Sequence, residues 1–245
     1  MRADVFLASG GYAPSREQAK RLILEGLVTV NGKLLRRAAE EIGEGAHTVT
    51  VSGPERFVSR GGNKLEAALA AFGLNPSGWR ALDIGASTGG FTDCLLRHGV
   101  AEVVAVDSGA GQLAEALRGD PRVRSREHCN ARDLTAETIG GRVRLIVMDV
   151  SFISATLILP RFPALLESVG DAVCLIKPQF EVGRALVGKN GIVKSEKARL
   201  AACGRVCENA AGFGLVSRGV IPSPITGGDG NVEYLCVFDF LPDEK

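Results

Sequence analysis

One stretch constrains this chain more than any other: Arg80-Ala-Leu-Asp-Ile-Gly-Ala-Ser-Thr-Gly-Gly-Phe91. A short apolar run (Ala81, Leu82, Ile84) breaks at Gly85 into Ser87-Thr88-Gly89-Gly90, and an apolar segment of helical period follows. That order reads as a buried strand, a tight glycine turn and the start of a helix. Glycines at such a turn let the backbone approach a ligand at the carboxyl edge of a parallel sheet. A second strand, Glu102-Val-Val-Ala-Val106, ends in Asp107 roughly twenty residues on, where nucleotide-binding folds place a carboxylate against a ribose. The turn is not Gly-x-Gly-x-x-Gly, because Ser87 stands at the second glycine. A nucleoside-bearing cofactor is the expected ligand.

Downstream the pattern alternates. Strands are expected near 81–84, 102–106, 123–126, 143–149 and 172–177, and helices near 90–98, 110–118, 154–168 and 195–211. Two final strands, 214–221 and 232–240, are joined without a helix and so pair antiparallel at the sheet edge. This is an α/β chain: a Rossmann-like, doubly wound parallel sheet with an antiparallel last strand. The hydrophobic fraction of 45% supplies ample core, and the net charge of +1 means that any nucleic-acid surface must concentrate its cations locally. No apolar run approaches the ~18 residues of a membrane span, and Met1-Arg-Ala-Asp4 does not open a leader, so a cytoplasmic protein is expected. The six cysteines lack metal-ligand pairing and read as reduced core thiols, with no metal site.

Residues 1–52 read as a small α+β module. Ser15-Arg-Glu-Gln18 is a capping box, and the helix it opens carries Ala19, Leu22 and Ile23 on one face and Arg16, Lys20 and Arg21 on the other. Val28-Thr-Val30 runs into Asn31-Gly32, a hairpin signal, followed by Lys33, Arg36 and Arg37. Charge alone admits a merely solvated face. The order Arg2-x-Asp4, Gly11, Ser15-Arg16-x-x-Ala19, Ile23, Gly26 and Val28-x-Val30-Asn31-Gly32 resembles the S4 RNA-binding domain. That resemblance implies RNA contacts at Ser15, Arg16, Lys20, Arg21, Lys33 and Arg36. Residues 53–62 are expected as a linker and flexible hinge, with Arg56 and Arg60 also facing RNA, and 63–245 as the second domain.

Charged residues stand at strand tips where a core does not want them: Asp149 after Leu145-Ile-Val-Met148, Lys177 after the next strand, and Glu233 before the last. All three converge beside the cofactor crevice; a surface salt-bridge network is the plainer alternative. Lys64 opens a helix against the helix dipole, which invites explanation. The set Lys64, Asp149, Lys177 and Glu233 resembles the Lys-Asp-Lys-Glu catalytic set of FtsJ-like ribose methyltransferases. With Ser59-Arg-Gly-Gly-x-Lys64, Asp149-Val-Ser-Phe-Ile-Ser154 and Ile176-Lys-Pro-Gln-Phe-Glu181, the whole chain resembles the TlyA family of ribosomal RNA 2′-O-methyltransferases, sometimes labelled hemolysins.

The resemblance implies S-adenosylmethionine as cofactor, held by Asp83, Gly85, Ser87, Thr88, Gly89, Gly90, Phe91, Asp107, Asn130 and Asp149, and ribosomal RNA or ribosomal subunits as partner. Asp83 and Asn130 have turn-capping alternatives. Lys177 would act on the ribose hydroxyl as base or as electrostatic orienter. Phe152 and Phe180 are candidates to stack a splayed base, or else ordinary core, and residues 183–194 are expected as a mobile lid or an RNA contact. The competing functions are a pseudouridine synthase, a non-catalytic RNA-binding or ribosome-assembly protein with a vestigial methyltransferase fold, and a hemolysin-type membrane activity.

Overall fold

The computed structural model describes residues 1–24, 26–51, 56–227 and 229–241. Backbone contacts divide the chain into two units, Met1–Arg56 and Phe57–Lys245. In the first, α1 (Ala3–Ser9) and α2 (Arg16–Leu24) pack Leu7, Ala19 and Ile23 against Val28 and Val30 of a three-stranded antiparallel sheet. Its strands are β1 (Val28–Val30), β2 (Lys33–Leu34) and β3 (Val49–Val51), in the order β2-β1-β3. Asn31 and Gly32, both at positive φ, make the β1–β2 turn that the sequence signals. Ser15 Oγ accepts the N–H of Gln18 at 3.2 Å, as an N-cap should. The second half of the capping box does not form, because Gln18 Oε1 instead accepts from Arg21 at 2.7 Å.

The second unit begins with α3 (Gly61–Ala71) and is built on seven strands: β4 (Arg80–Ile84), β5 (Glu102–Val106), β6 (Val123–Arg126), β7 (Val143–Met148), β8 (Leu166–Ile176), β9 (Leu215–Pro222) and β10 (Tyr234–Phe240). Their order is β6-β5-β4-β7-β8-β10-β9. The pairs from β6 to β8 are parallel, and β10 runs antiparallel to both β8 and β9. β10 takes the inner place because its side chains are buried almost throughout, whereas those of β9 are mostly part-exposed. Apolar layers cover both faces, so the central strands read as near-continuous apolar runs. Helices α4 (Gly90–Arg97) and α8 (Glu196–Ala211) match their expected positions.

Two expected helices shrink. Only α5 (Glu115–Arg118) forms within 110–118, behind Gly111 at φ +67. The expected helix at 154–168 breaks into 3₁₀ turns at Ala155–Leu157 and Leu159–Arg161 and a short α6 (Phe162–Leu165), since Pro160 and Pro163 each remove a helical N–H. β8 therefore starts at Leu166, well before the expected 172. The hinge reading of 53–62 also changes. Residues 52–55 lie outside the described residues, but Phe57 is buried, and a Cβ on Gly62 would sit 2.2 Å from its ring. Gly62 serves close packing against Phe57.

Candidate active site

Each charged residue of the set stands just outside a regular element. Asp149 follows β7 and Lys177 follows β8. The register pairs Tyr234 with Ile176, which carries Glu233 to the same edge as Lys177. Lys64 lies in the first turn of α3 and is 8% exposed; Glu233 is 2% exposed. Lys64 Nζ donates to Glu233 Oε2 at 2.6 Å and lies 3.9 Å from Asp149 Oδ2. Asp149 Oδ1 lies 2.5 Å from Lys177 Nζ, which donates to Ser151 Oγ at 2.8 Å. The result is a line of alternating charge, Glu233–Lys64–Asp149–Lys177, buried at one end and opening onto a cavity at the other. The lysine that opposes the α3 dipole is thus held by a buried carboxylate.

Two adjoining cavities, of ≈ 300 Å³ and ≈ 540 Å³, share Gly85, Ser87, Asp149 and Ser151; both volumes fall in the range of small-molecule sites. The smaller one is lined by Arg60, Lys64, Thr88, Gly90, Phe91 and Lys177 among others. The larger has Ile84, Val106 and Ile158 as apolar lining with Asp107 and Asn130 as polar groups, a donor set that suits a nucleoside. Asp107 accepts the N–H of Ser87 at 2.8 Å and of Gly109 at 2.7 Å, which leaves a further lone pair on each oxygen. Gly85 is at φ +83, and a Cβ there would sit 2.3 Å from the Asp149 carbonyl oxygen. Only glycine lets β4 turn this close to the end of β7.

Other expected site residues are placed differently. Asp83 is fully buried, donates nothing to either cavity lining, and accepts from Thr92 Oγ1 at 2.6 Å while its Oδ1 has no partner. Burial, opposed by the Thr92 bonds and reinforced by the negative charge of Asp149, pushes its carboxyl up to about 7. Gly89, at φ +97, lies against Leu117 and Leu113 rather than in a cavity. Asn130 lines the larger cavity and also caps the following turn by accepting the N–H of Arg132 at 3.1 Å. Phe152 is 91% exposed at φ +64, an uncommon conformation for a bulky residue, and its ring lies 5.3 Å from that of Phe180. An ordinary core role for Phe152 is excluded.

In the first unit Arg16 is bound at 2.8 Å to the buried Asp4, whose carboxyl Arg2 and Arg16 together hold far below the usual carboxylate range. Lys20 pairs with Glu17 at 2.7 Å. Ser15 serves as the helix cap, Lys33 and Arg36 are exposed on the hairpin side, and Arg56 is exposed at the unit's end. Ser59, Gln112, Ser151 and Thr226 line the cavities and were not singled out from the sequence. Ser151 sits inside the Asp149-Val-Ser-Phe152 motif and Ser59 opens the Ser59-Arg-Gly-Gly-x-Lys64 motif, so both were legible there; Gln112 and Thr226 come from loops without a signal. Among the described residues no three His, Cys, Asp or Glu side chains cluster as a metal site, and no helix is long and apolar enough to cross a membrane.

A mostly parallel sheet with an inserted antiparallel last strand, and a glycine turn at its carboxyl edge, define a Rossmann-like methyltransferase fold. A candidate S-adenosylmethionine-dependent methyltransferase from Listeria monocytogenes shares that fold at TM-score 0.55 and 15% identity, covering 74% of this chain and 99% of that one. The FtsJ-like methyltransferase profile matches residues 57–240 and the S4 domain profile matches residues 1–47. The TlyA 16S/23S rRNA (cytidine-2′-O)-methyltransferase of Mycobacterium tuberculosis is 47% identical over 95% of this chain and 87% of its own length. A candidate hemolysin from Streptococcus thermophilus superposes at TM-score 0.78 with 42% identity, covering all of this chain and 89% of that one. The chain belongs to the FtsJ-like methyltransferases, as an S4-bearing member of the TlyA family.

Proposed function

We propose that the protein transfers a methyl group from S-adenosylmethionine to a ribose 2′-hydroxyl of ribosomal RNA, with the N-terminal unit docking the RNA. The observation that carries this reading is the charge line Glu233–Lys64–Asp149–Lys177 ending at the shared wall of two cavities. The named activity of the Mycobacterium tuberculosis relative supports both the ribose hydroxyl and the ribosomal target.

When bound, S-adenosylmethionine supplies an electrophilic methyl group on a sulfonium. Asp107 and Asn130 would hold its nucleoside end, and the backbone of Gly85, Ser87, Thr88 and Gly90 would hold its amino-acid end. Asp83 acts from behind this turn, bracing α4 through Thr92, rather than touching the ligand.

A ribose hydroxyl is a weak nucleophile, so positioning and electrostatics supply much of the rate. Lys177 Nζ is the charged group that meets the hydroxyl. Asp149 at 2.5 Å and Ser151 at 2.8 Å fix its direction. So directed, Lys177 stabilises the negative charge that grows on the ribose oxygen as the hydroxyl proton passes to solvent water. Phe152, held out into solvent, stacks the base of the target nucleotide, and Phe180 supports it from 5.3 Å. Lys20, Arg21, Lys33, Arg36, Arg56 and Arg60 supply phosphate contacts that position the RNA.

The test is transfer of a tritiated methyl group from the cofactor to isolated ribosomal subunits, followed by alkaline hydrolysis. Label in alkali-resistant dinucleotides identifies a 2′-O-methyl ribose. Label confined to free bases, or none on either subunit, rejects the reading.

A further inference from the structure

From Gly183 to Lys194 the chain carries Arg184, Lys189 and Lys194 and no acidic residue. All three cations are exposed, and none makes an ion pair with a described residue. In the same unit Arg80 and Arg124 pair with Glu102, Arg122 with Asp120, and Arg218 with Asp171 and Asp239. What sets this segment apart is that its three unpaired cations stand together with no acidic residue among them.

The segment is also fixed. Val182, Val187 and Val193 pack on Ala198 and Ala202 of α8 as a small apolar cluster of their own. Buried Asn231 clasps it from the other side, donating to the Gly191 carbonyl at 2.9 Å and accepting the Val193 N–H at 3.0 Å. Arg199 donates to the carbonyls of Val193 at 3.0 Å and Lys194 at 2.9 Å. These anchors contradict a freely mobile lid. They also tie the segment to the reacting groups at both ends. Asn231 stands two residues before Glu233. Glu181, just ahead of the segment, accepts from Ser154 Oγ at 2.6 Å and from the Ala155 N–H at 2.8 Å, in the loop that presents Phe152.

We propose that residues 183–194 form a preordered phosphate-binding ridge that holds the RNA backbone next to the target nucleotide, a second RNA surface separate from the S4 unit. The inference rests on the reading of the protein as an RNA ribose methyltransferase. Cations on an already ordered segment lose little conformational freedom on binding. They grip phosphates without reading bases, which leaves the choice of sequence to other contacts.

The test is the salt dependence of binding to protein-free ribosomal RNA, for the full chain and for the triple variant R184A/K189A/K194A. Each phosphate contact contributes about 0.7 to 0.9 to the slope of log affinity against log salt, so losing all three flattens it by about 2 to 3. The KM for RNA rises with it, while the Kd for S-adenosylmethionine does not move. If the triple variant melts below wild type, Lys189→Ala alone must flatten the slope by about 0.7 to 0.9. A wild-type slope in correctly folded variants overturns the proposal. So does retained RNA binding with loss of binding to vesicles of anionic phospholipid, which would make the ridge a membrane contact. Absence of methyl transfer by the wild-type chain would instead reject the underlying reading, because the slope is measured without turnover.

Discussion

Neutralising Glu233 isolates the contribution of the buried end of the charge line. Glu233→Gln removes the carboxylate 2.6 Å from Lys64 Nζ while keeping the shape of the side chain. Lys64 is then left with Asp149 at 3.9 Å, a carboxylate already engaged by Lys177 at 2.5 Å. Breaking a buried ion pair from one side costs about 3–5 kcal/mol. The remaining attraction to Asp149 places this case near the lower end, at about 3 kcal/mol, and a unit of this size loses about 2–4 °C per kcal/mol, so its Tm falls by about 6–12 °C.

The double variant Lys64→Met/Glu233→Met removes both charges and leaves apolar volume, which recovers most of that stability. Activity behaves otherwise. The double variant loses the Lys64 charge beside Asp149, and Glu233→Gln loses the carboxylate that places that charge, so in both the setting of Asp149 and hence of Lys177 is disturbed and methyl transfer at saturating substrates falls by about 10²-fold. Thermal unfolding followed by circular dichroism gives the first quantity, and single-turnover transfer gives the second. A double variant that methylates at the wild-type rate would refute the reasoning by making the pair purely structural. A Glu233→Gln variant with an undisturbed Tm would refute its burial.

Gly85→Ala places a Cβ 2.3 Å from the Asp149 carbonyl oxygen at φ +83. Backbone strain of about 1–2 kcal/mol and overpacking of about 1–3 kcal/mol should appear together as a lower Tm and weaker cofactor binding by calorimetry; a wild-type Tm contradicts the turn geometry. Asp83, raised to about 7 chiefly by burial, keeps in the fold a proton that the unfolded chain gives up near 3.8. Its contribution to stability is present at low pH and is lost as pH rises through that window. Asp83→Asn should therefore shrink the Tm difference between about pH 5 and pH 8, and equal differences in variant and wild type contradict the burial argument. Phe152→Ala, at a side chain 91% exposed, should leave Tm undiminished. Loss of one base stack at about 1–3 kcal/mol would lower kcat/KM for RNA by about 5- to 150-fold, and an unchanged value removes Phe152 from RNA recognition.

The sheet was legible wherever a strand is buried on both faces, because the apolar runs at 81–84, 102–106 and 143–148 admit no helical period. Asn31-Gly32 and Ser15 were legible because turn and cap chemistry is local. The region 154–168 was misread because Phe162, Leu165 and Leu166 imitate a helical stripe, while Pro160 and Pro163 divide it. The inner place of β10 depends on which of two apolar strands is the more buried, a tertiary property. For the candidate site, residue types at strand tips were readable, but their pairing was not: Lys64 and Glu233 are 169 positions apart and meet only through the β8–β10 register. Asp83 is placed at the cofactor by the resemblance alone; its burial within β4, with Thr92 satisfying one oxygen, is a tertiary property that the residue pattern does not carry. The role of Gly62 was hidden because paired glycines read as flexibility, and only the Phe57 ring against it shows it to be a packing residue.

The central claim is that Lys177, set by Asp149 and Ser151 at the wall between two cavities, acts on the RNA hydroxyl and not on binding. Lys177→Ala tests it most directly when transfer of tritiated methyl to ribosomal subunits is measured alongside the Kd for S-adenosylmethionine and for RNA. The account predicts loss of alkali-resistant methyl label with both affinities kept within a few-fold of wild type. Methyl transfer at the wild-type rate by Lys177→Ala would contradict it.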